Sequence, residues 1–242
     1  MSFIIIIPAR YSSSRLPGKP LINIGGKPMI ERVHDLARKT KATEVYIATD
    51  HEDIFDRCSS FSAKVLMTKT DHLTGTDRIA ETAEILDLSQ DTVIVNLQGD
   101  EPFLNFGDID RLATFFIQER RFDLGTLFSR FTEQQEVSDP NLVKLWVDKK
   151  NTVKAFSRKE DFIDHHQFLR ALHLGIYVYK AEFVREFVKW NQSDNEKKEN
   201  LEQLRALDKG KNIGAIESVS TEHIGIDTEE ELTIARNLVS ND

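Results

Sequence analysis

The sequence predicts an α/β protein built on a doubly wound, mostly parallel sheet, with a smaller mixed elaboration of β-hairpin and helix. Three observations predict it. Runs such as Phe3-Ile4-Ile5-Ile6-Ile7 and Thr92-Val93-Ile94-Val95-Asn96-Leu97 are short, β-branched and apolar without alternation, the pattern of strands buried on both faces. Between such runs apolar residues recur at helical spacing, so the first half of the chain has a βαβα rhythm. In the second half two apolar runs are joined across Asp148-Lys149-Lys150-Asn151, which is a hairpin spacing rather than a crossover.

Phe3 to Ile7 is the first strand, and Pro8 to Leu21 leaves its carboxyl end as a basic loop. Gly25-Gly26 turns the chain into a helix with Pro28 in its first turn and Met29, Ile30, Val33, Leu36 and Ala37 on one face. Glu44 to Thr49 is the second strand, ending at Asp50. His51 to Ser60 is helical, with Ile54, Phe55 and Cys58 on one side, and Lys64 to Met67 is a third short strand. That strand feeds Thr74-Gly75-Thr76-Asp77-Arg78 and then a helix carrying Ile79, Ala83 and Leu86. Thr92 to Leu97 empties into Gln98-Gly99-Asp100-Glu101-Pro102, and a helix from about Asp108 to Glu119 turns Ile109, Leu112, Phe115 and Phe116 inward. Beyond it, Leu142 to Val147 and Thr152 to Ser157 are the hairpin strands, and His173 to Tyr179 lies in another strand. Helices follow at about Ala181 to Trp190 and Glu199 to Leu207, separated by Asn191 to Lys198, a polar stretch read as a solvated loop. Thr228-Glu229-Glu230-Glu231 matches a capping box ahead of Leu232, Ala235 and Leu238, so the last helix starts just after Asp227.

With 242 residues, 40% of them hydrophobic, the chain can bury one sizeable core. Its net charge of -8 supplies no global cationic field, which argues against broad binding to nucleic acid or an anionic membrane. Any anion site must be local. Cys58 is the only cysteine, so neither an intrachain disulfide nor a multi-cysteine metal site is available, which fits a reducing compartment. No apolar run approaches a membrane span, and the N-terminal isoleucines lack the flanks of a signal peptide, so a cytoplasmic protein is expected.

Two loops carry the candidate chemistry. In Pro8 to Leu21, Arg10, Arg15 and Lys19 alternate with Ser12, Ser13 and Ser14, and Gly18 permits a tight turn. Cations, hydroxyls and free amides at the carboxyl end of a first strand suit a polyphosphate, although the same loop is also readable as a solvated basic turn. It matches neither the P-loop nor the dinucleotide glycine pattern. In the second loop Asp100 is either a hydrated turn residue or a metal ligand, and Asp227 is either part of a helix cap or a metal ligand. Together they would suffice for a hard divalent cation that also takes waters and substrate phosphates. His165-His166 reads as solvated, and His173 as a core histidine bonded to backbone.

These residues give the chain a family resemblance. Pro8-Ala9-Arg10, Ser14-Arg15-Leu16-Pro17-Gly18-Lys19-Pro20-Leu21, Ala48-Thr49-Asp50, Gly75-Thr76-Asp77-Arg78 and Gln98-Gly99-Asp100-Glu101-Pro102 carry its first half. Phe156-Ser157-Arg158, His173-x-Gly175-Ile176-Tyr177-x-Tyr179, Leu201-Glu202-Gln203-Leu204-Arg205 and Asp227-Thr228 carry the second. In this order they resemble the 3-deoxy-manno-octulosonate (Kdo) cytidylyltransferases of lipopolysaccharide synthesis, from end to end. The resemblance implies a nucleotide-diphospho-sugar transferase fold and a single domain over 1–242. Residues 1–125 would be the nucleotide-binding core, about 126–215 the sugar-binding and dimerising elaboration, and 216–242 a return to the core. It implies the reaction of CTP with Kdo to CMP-Kdo and pyrophosphate, with Mg²⁺ and a homodimeric enzyme. Carried over by motif, Arg10, Arg15 and Lys19 would hold the triphosphate, with Pro8, Ala9, Arg78 and Gln98 near base and ribose. Asp100 and Asp227 would hold magnesium, and Lys19, Arg15, Asp100 and Asp227 would be the catalytic set. Arg158, His173, Tyr177, Glu202 and Gln203 would surround the sugar acid, Arg158 facing its carboxylate.

The chain also departs from the family pattern. After Arg158 it continues Lys159-Glu160-Asp161-Phe162 rather than with an Ile-Pro run, and the segment before His173 is short. Two alternatives stay open: transfer to an amino-substituted Kdo or another sugar acid, and a nucleotide-binding sensor without turnover.

Overall fold

The computed structural model describes every residue except 1, 14, 133–136, 161–166, 221–222 and 241–242. Ser14, Asp161, Phe162, His165 and His166 therefore lie outside the described residues. The first half runs β1 (Ile4–Ala9), a 3-10 turn (Lys19–Leu21), a small hairpin of β2 (Asn23–Ile24) and β3 (Lys27–Pro28), α1 (Met29–Ala37), β4 (Glu44–Thr49) and α2 (Glu52–Ser60). It continues with β5 (Lys64–Met67), α3 (Gly75–Ile85), β6 (Val93–Asn96) and α4 (Phe106–Gln118). The second half is β7 (Leu124–Ser129), β8 (Lys144–Val147), β9 (Val153–Ser157), β10 (Leu169–Lys180), α5 (Ala181–Phe187), α6 (Asp194–Glu199), α7 (Gln203–Asp208), β11 (Ile213–Glu217) and α8 (Glu229–Ser240).

One sheet unites both halves in the order β11-β7-β10-β6-β1-β4-β5, with β8 added to β10 and β9 to β8. β1 pairs in parallel with β4 and β6, and β4 with β5. The chain thus moves to one side of β1 first and returns on the other. That reversal opens a crevice at the carboxyl ends of β1 and β6, where α/β sheets bind ligands. β1 shows why its run of isoleucines lacks polar alternation: Ile5 and Ile7 pack with α1, α2 and α4, while Ile4 and Ile6 pack with α3 and α5 on the opposite face. Each isoleucine so buried stabilises the fold by roughly 2 kcal/mol.

β10 joins the halves. Its residues Tyr177 to Lys180 run antiparallel to β6, while Leu169 to Leu172 on the same edge take β8 instead. The β8–β9 hairpin expected across Asp148 to Asn151 therefore grows out of the core sheet.

Several boundaries differ from expectation, each for a local reason. Thr74 caps α3 through a capping box with Asp77, so Gly75 to Arg78 form the first helical turn rather than a loop. Pro28 is the cap of α1, one residue outside it. β7 and β11 are strands that periodicity does not reveal, since both pass through glycine at their second residue and pair with each other in parallel. The stretch Asn191 to Lys198 is not a solvated loop. It contains most of α6, capped by Ser193 and Glu196, and Glu196 is buried against Arg205. Asn200, in the left-handed conformation at φ 53, then separates α6 from α7, so no continuous helix runs from Glu199. The capping box of Thr228 and Glu231 and the helix after Asp227 are present as read.

Candidate active site

The opening loop is held over the crevice by packing and by one carboxylate. Gly18, at φ 65, makes the turn that starts the 3-10 segment, a conformation open to glycine without strain. Leu16 is buried with Ile24, Met29, Ile226 and Leu232, so the loop lies against the segment that leads to α8. Asp50, at the end of β4, accepts from the Tyr11 amide at 3.0 Å and from Arg78 Nη2 at 2.8 Å. Tyr11 stacks on His51, with ring centroids 3.8 Å apart. The loop is thereby tied to both β4 and α3.

That packing brings four charges together. Lys19 Nζ donates to Asp227 Oδ1 at 2.9 Å and also pairs with Asp100 Oδ2. Arg15 Nη2 lies 3.0 Å from the other Asp227 oxygen. Asp100 comes from the loop after β6 and Asp227 from the turn before α8. The Ile226 amide, donating to the Asp100 carbonyl at 2.9 Å, stitches the two segments together. Burial alone would lower the Lys19 pKa, but Asp100 and Asp227 outweigh it and hold the ammonium above its ordinary value. Asp227 shows the converse: burial would raise it, and Lys19 and Arg15 hold it below the carboxylate range.

A cleft of about 300 Å³ opens over these charges, lined among others by Pro8, Ala9, Arg10, Arg78, Gln98 and Gly99. All the residues assigned to nucleotide and metal thus meet in one place. Arg10 is exposed at its mouth and has no ion-pair partner among the described residues. Arg78 differs from the other cations. Its side chain is 3% exposed and its guanidinium is spent on Asp50, Thr68 Oγ1 and the Lys69 carbonyl, so it braces the wall. Gly99 allows the close crossing of the two loops, since a Cβ there would stand 2.9 Å from the Pro8 carbonyl oxygen.

The donor set suits a hard divalent cation. Two carboxylates already converge on one cationic centre, the Lys19 ammonium, and at 30% and 47% exposure they leave sides open to water and phosphate. No group of three or more His, Cys, Asp or Glu capable of holding a metal occurs among the described residues, so any such ion would depend on its substrate for further ligands.

The five residues assigned to the sugar acid lie on the second half. Tyr177 is the register partner of Asn96, whose side-chain oxygen accepts from Gln98 Nε2 at 3.0 Å, so this region adjoins the cleft. His173 and Tyr177 have ring centroids 5.5 Å apart, and the Phe156 ring meets the His173 ring edge-on at 5.0 Å. Thr76 of α3 donates to Glu202 Oε2 at 3.0 Å, while Glu202 Oε1 is buried without a partner. Burial pushes Glu202 up to about 7 and His173 down to about 3, and it lifts the Tyr177 phenol far above its usual range with help from Glu202. Gln203 is buried at the start of α7. Arg158 donates through Nε to the Glu199 carbonyl and through Nη1 to the Pro140 and Asn141 carbonyls, while Nη2 makes no hydrogen bond with any described residue.

Three residues outside the expected set shape the site. Glu101, quoted in its motif without a role, is pushed to about 8 by burial and then by Asp100 and Asp227, and a Cβ on Gly225 would come within 3.0 Å of its carboxylate. Lys144, fully buried, donates to the Asp139, Leu142 and Arg158 carbonyls and so fixes the turn that carries Arg158. Thr126, on β7, bonds the His173 ring. A lysine inside an apolar run was the only signal of the second, and nothing in the sequence marked the third.

Comparison with known proteins agrees on one family. Residues 4–213 match the family model described as cytidylyltransferase. The 3-deoxy-manno-octulosonate cytidylyltransferase of Pseudoalteromonas translucida is 41% identical over 244 residues, covering 96% of this chain and 95% of the relative. That of Idiomarina loihiensis is 41% identical over 252 residues and covers 100% of both. Among solved structures, CMP:2-keto-3-deoxy-manno-octonic acid synthetase complexed with CTP superposes with a TM-score of 0.90 at 33% identity, over 100% of this chain and 99% of the other. A putative glucose-1-phosphate thymidylyltransferase from Bacillus anthracis shares the fold alone, at TM-score 0.71 and 17% identity.

Proposed function

The chain belongs to the 3-deoxy-manno-octulosonate cytidylyltransferase family, and from that premise we propose how its two regions join CTP to the sugar acid. The anomeric hydroxyl of Kdo attacks the α-phosphorus of CTP, forming the new P–O bond. The bond from that phosphorus to the β-phosphate oxygen breaks, pyrophosphate leaves, and the hydroxyl proton passes to water. No covalent intermediate with the protein is needed. Arg10, Arg15 and Lys19 bind the triphosphate and stabilise the charge that builds on the departing pyrophosphate. Gln98 and the Pro8–Ala9 backbone line the nucleotide side, with Arg78 as the brace behind them. Asp100 and Asp227 would hold Mg²⁺, which when bound neutralises phosphate charge and acidifies a coordinated hydroxyl. The sugar acid is held by the second region, its carboxylate by Arg158 and its hydroxyls by His173, Tyr177, Glu202 and Gln203. Placing both substrates at one crevice contributes the orientation on which an in-line displacement depends.

The observation that carries this reading is the meeting of Arg15, Lys19, Asp100 and Asp227 at the cleft beside Gln98. Its test is pyrophosphate release with CTP, Mg²⁺ and Kdo, each omitted in turn. Release that requires all three supports the assignment, and release that persists without the sugar acid or the metal contradicts it. We further propose a cytoplasmic homodimer supplying activated Kdo for lipopolysaccharide, joined through the hairpin region. No described helix is long and apolar enough to cross a membrane. Light scattering of the purified chain would test the dimer.

A further inference from the structure

We infer that Thr126 is a positioning residue that fixes His173 as a neutral hydrogen-bond acceptor, presenting a bare Nδ1 to a hydroxyl of the sugar acid. The part of this that names the sugar rests on the function proposed above; the protonation pattern does not. Thr126 is fully buried on β7 and lies opposite Tyr177 in the sheet. Between the pairs Leu174–Leu127 and Tyr177–Thr126 the register breaks, so Gly175 and Ile176 bulge from β10 with no counterpart on β7. The Thr126 hydroxyl closes that bulge. Its Oγ1 lies 2.7 Å from the Ile176 carbonyl, 3.2 Å from the Leu174 carbonyl and 3.0 Å from His173 Nε2.

A hydroxyl has one proton and two lone pairs, and a carbonyl oxygen can only accept. Both carbonyl contacts therefore draw on the single threonine proton, shared between them and directed mainly at Ile176. Toward His173 only a lone pair remains, so Nε2 must itself carry hydrogen. Were Nε2 bare, the threonine proton would have to serve the ring, and two oxygens would face each other at 2.7 Å with nothing between them. A neutral imidazole has one N–H, so Nδ1 is the acceptor. The ring is kept neutral by burial, which lowers its pKa to about 3. Nδ1 makes no hydrogen bond with any described residue, and His173 is only part-buried.

An uncharged acceptor nitrogen selects for a donor. It suits a sugar hydroxyl and repels a carboxylate or phosphate oxygen, which leaves the acid group to Arg158. The threonine thus sets specificity without touching substrate.

The direct test is long-range proton–nitrogen correlation NMR on the protein labelled with ¹⁵N-histidine, with the His173 signals assigned by comparison with His173→Asn. The Nε2–H pattern at neutral pH is expected, and an Nδ1–H tautomer or an imidazolium would overturn the inference. Two variants extend it. Thr126→Ser keeps the hydroxyl and should retain both the tautomer and the KM for Kdo. Thr126→Val keeps the shape but loses the hydroxyl; it should mix the tautomers and raise the Kdo KM roughly 10-fold with the CTP KM unchanged. An unaltered tautomer and Kdo KM in Thr126→Val would also overturn the inference. Because the NMR readout needs no substrate, a wild-type protein that shows Nε2–H but is inactive on Kdo supports the tautomer and removes only the assigned function.

Discussion

The two sides of the crevice are built from opposite chemistry. On the nucleotide side, formal charges stand on loops at the ends of parallel strands, part-exposed and balanced against one another, as in Lys19 between Asp100 and Asp227. On the sugar side, the polar groups sit on strands and a short helix, desolvated and mostly neutral, as in His173 and Tyr177. The difference fits the ligand proposed for each. A triphosphate carries its own charge and is met by countercharge, whereas a polyol is told apart by the direction of individual hydrogen bonds.

The contrast can be broken where the charges are functional. Asp100→Asn or Asp227→Asn should lower kcat on the order of 10³-fold with little change in thermal stability. Near wild-type pyrophosphate release in either variant would refute the metal assignment.

Buried polar groups should behave differently, costing the fold as well as the reaction. Arg205→Met leaves Glu196 buried and unpaired, so it should destabilise the protein by about 4 kcal/mol in denaturant unfolding. The solvent-exposed pair of Lys27 and Asp35, screened by water, should contribute little by the same measurement.

Glu202 sharpens the comparison through pH. Its folded pKa of about 7 lies above the ordinary value of 4.5, because burial disfavours the charged form. The folded state therefore holds the proton more tightly. Its favourable contribution is complete below about 4.5 and is lost as pH rises to about 7, a swing of about 3 kcal/mol. Glu202→Gln should lack this dependence, so the stability of wild type relative to the variant should fall across that window and level off above it. Parallel curves would show that the carboxyl is not desolvated.

Gly99→Ala probes the crossing of the two loops, where the new Cβ meets the Pro8 carbonyl and the loops must part. A loss of roughly 2 kcal/mol in unfolding free energy and a higher CTP KM are expected.

How far each side could be read from sequence follows the same division. Arg15, Lys19 and Asp100 were legible because a charged loop after an apolar strand has few places to go in an α/β sheet, and the topology puts those loops together. Asp227 was legible as a cap residue, but its meeting with Lys19 depends on Leu16 packing under Ile226, a contact without local signal. The sugar side was legible only as motif. β7 carries Gly125 and Thr126 in a strand buried on both faces, so neither alternation nor composition announces it. α6 is entirely polar, and its one buried residue is Glu196, the opposite of the pattern by which helices are recognised. By its residues alone His173 reads as a core histidine bonded to backbone and only the resemblance moves it to the site; the partner of its ring is the Thr126 hydroxyl.

The division of labour is tested most directly by measuring both KM values in one variant from each side. Arg10→Ala removes from the nucleotide cleft a cation with no ion-pair partner among the described residues, and Tyr177→Phe removes the hydroxyl of a part-buried tyrosine from the sugar side. Roughly 10-fold increases confined to CTP in the first and to Kdo in the second are predicted. Equal increases for both substrates in either variant would contradict a site made of two separable halves.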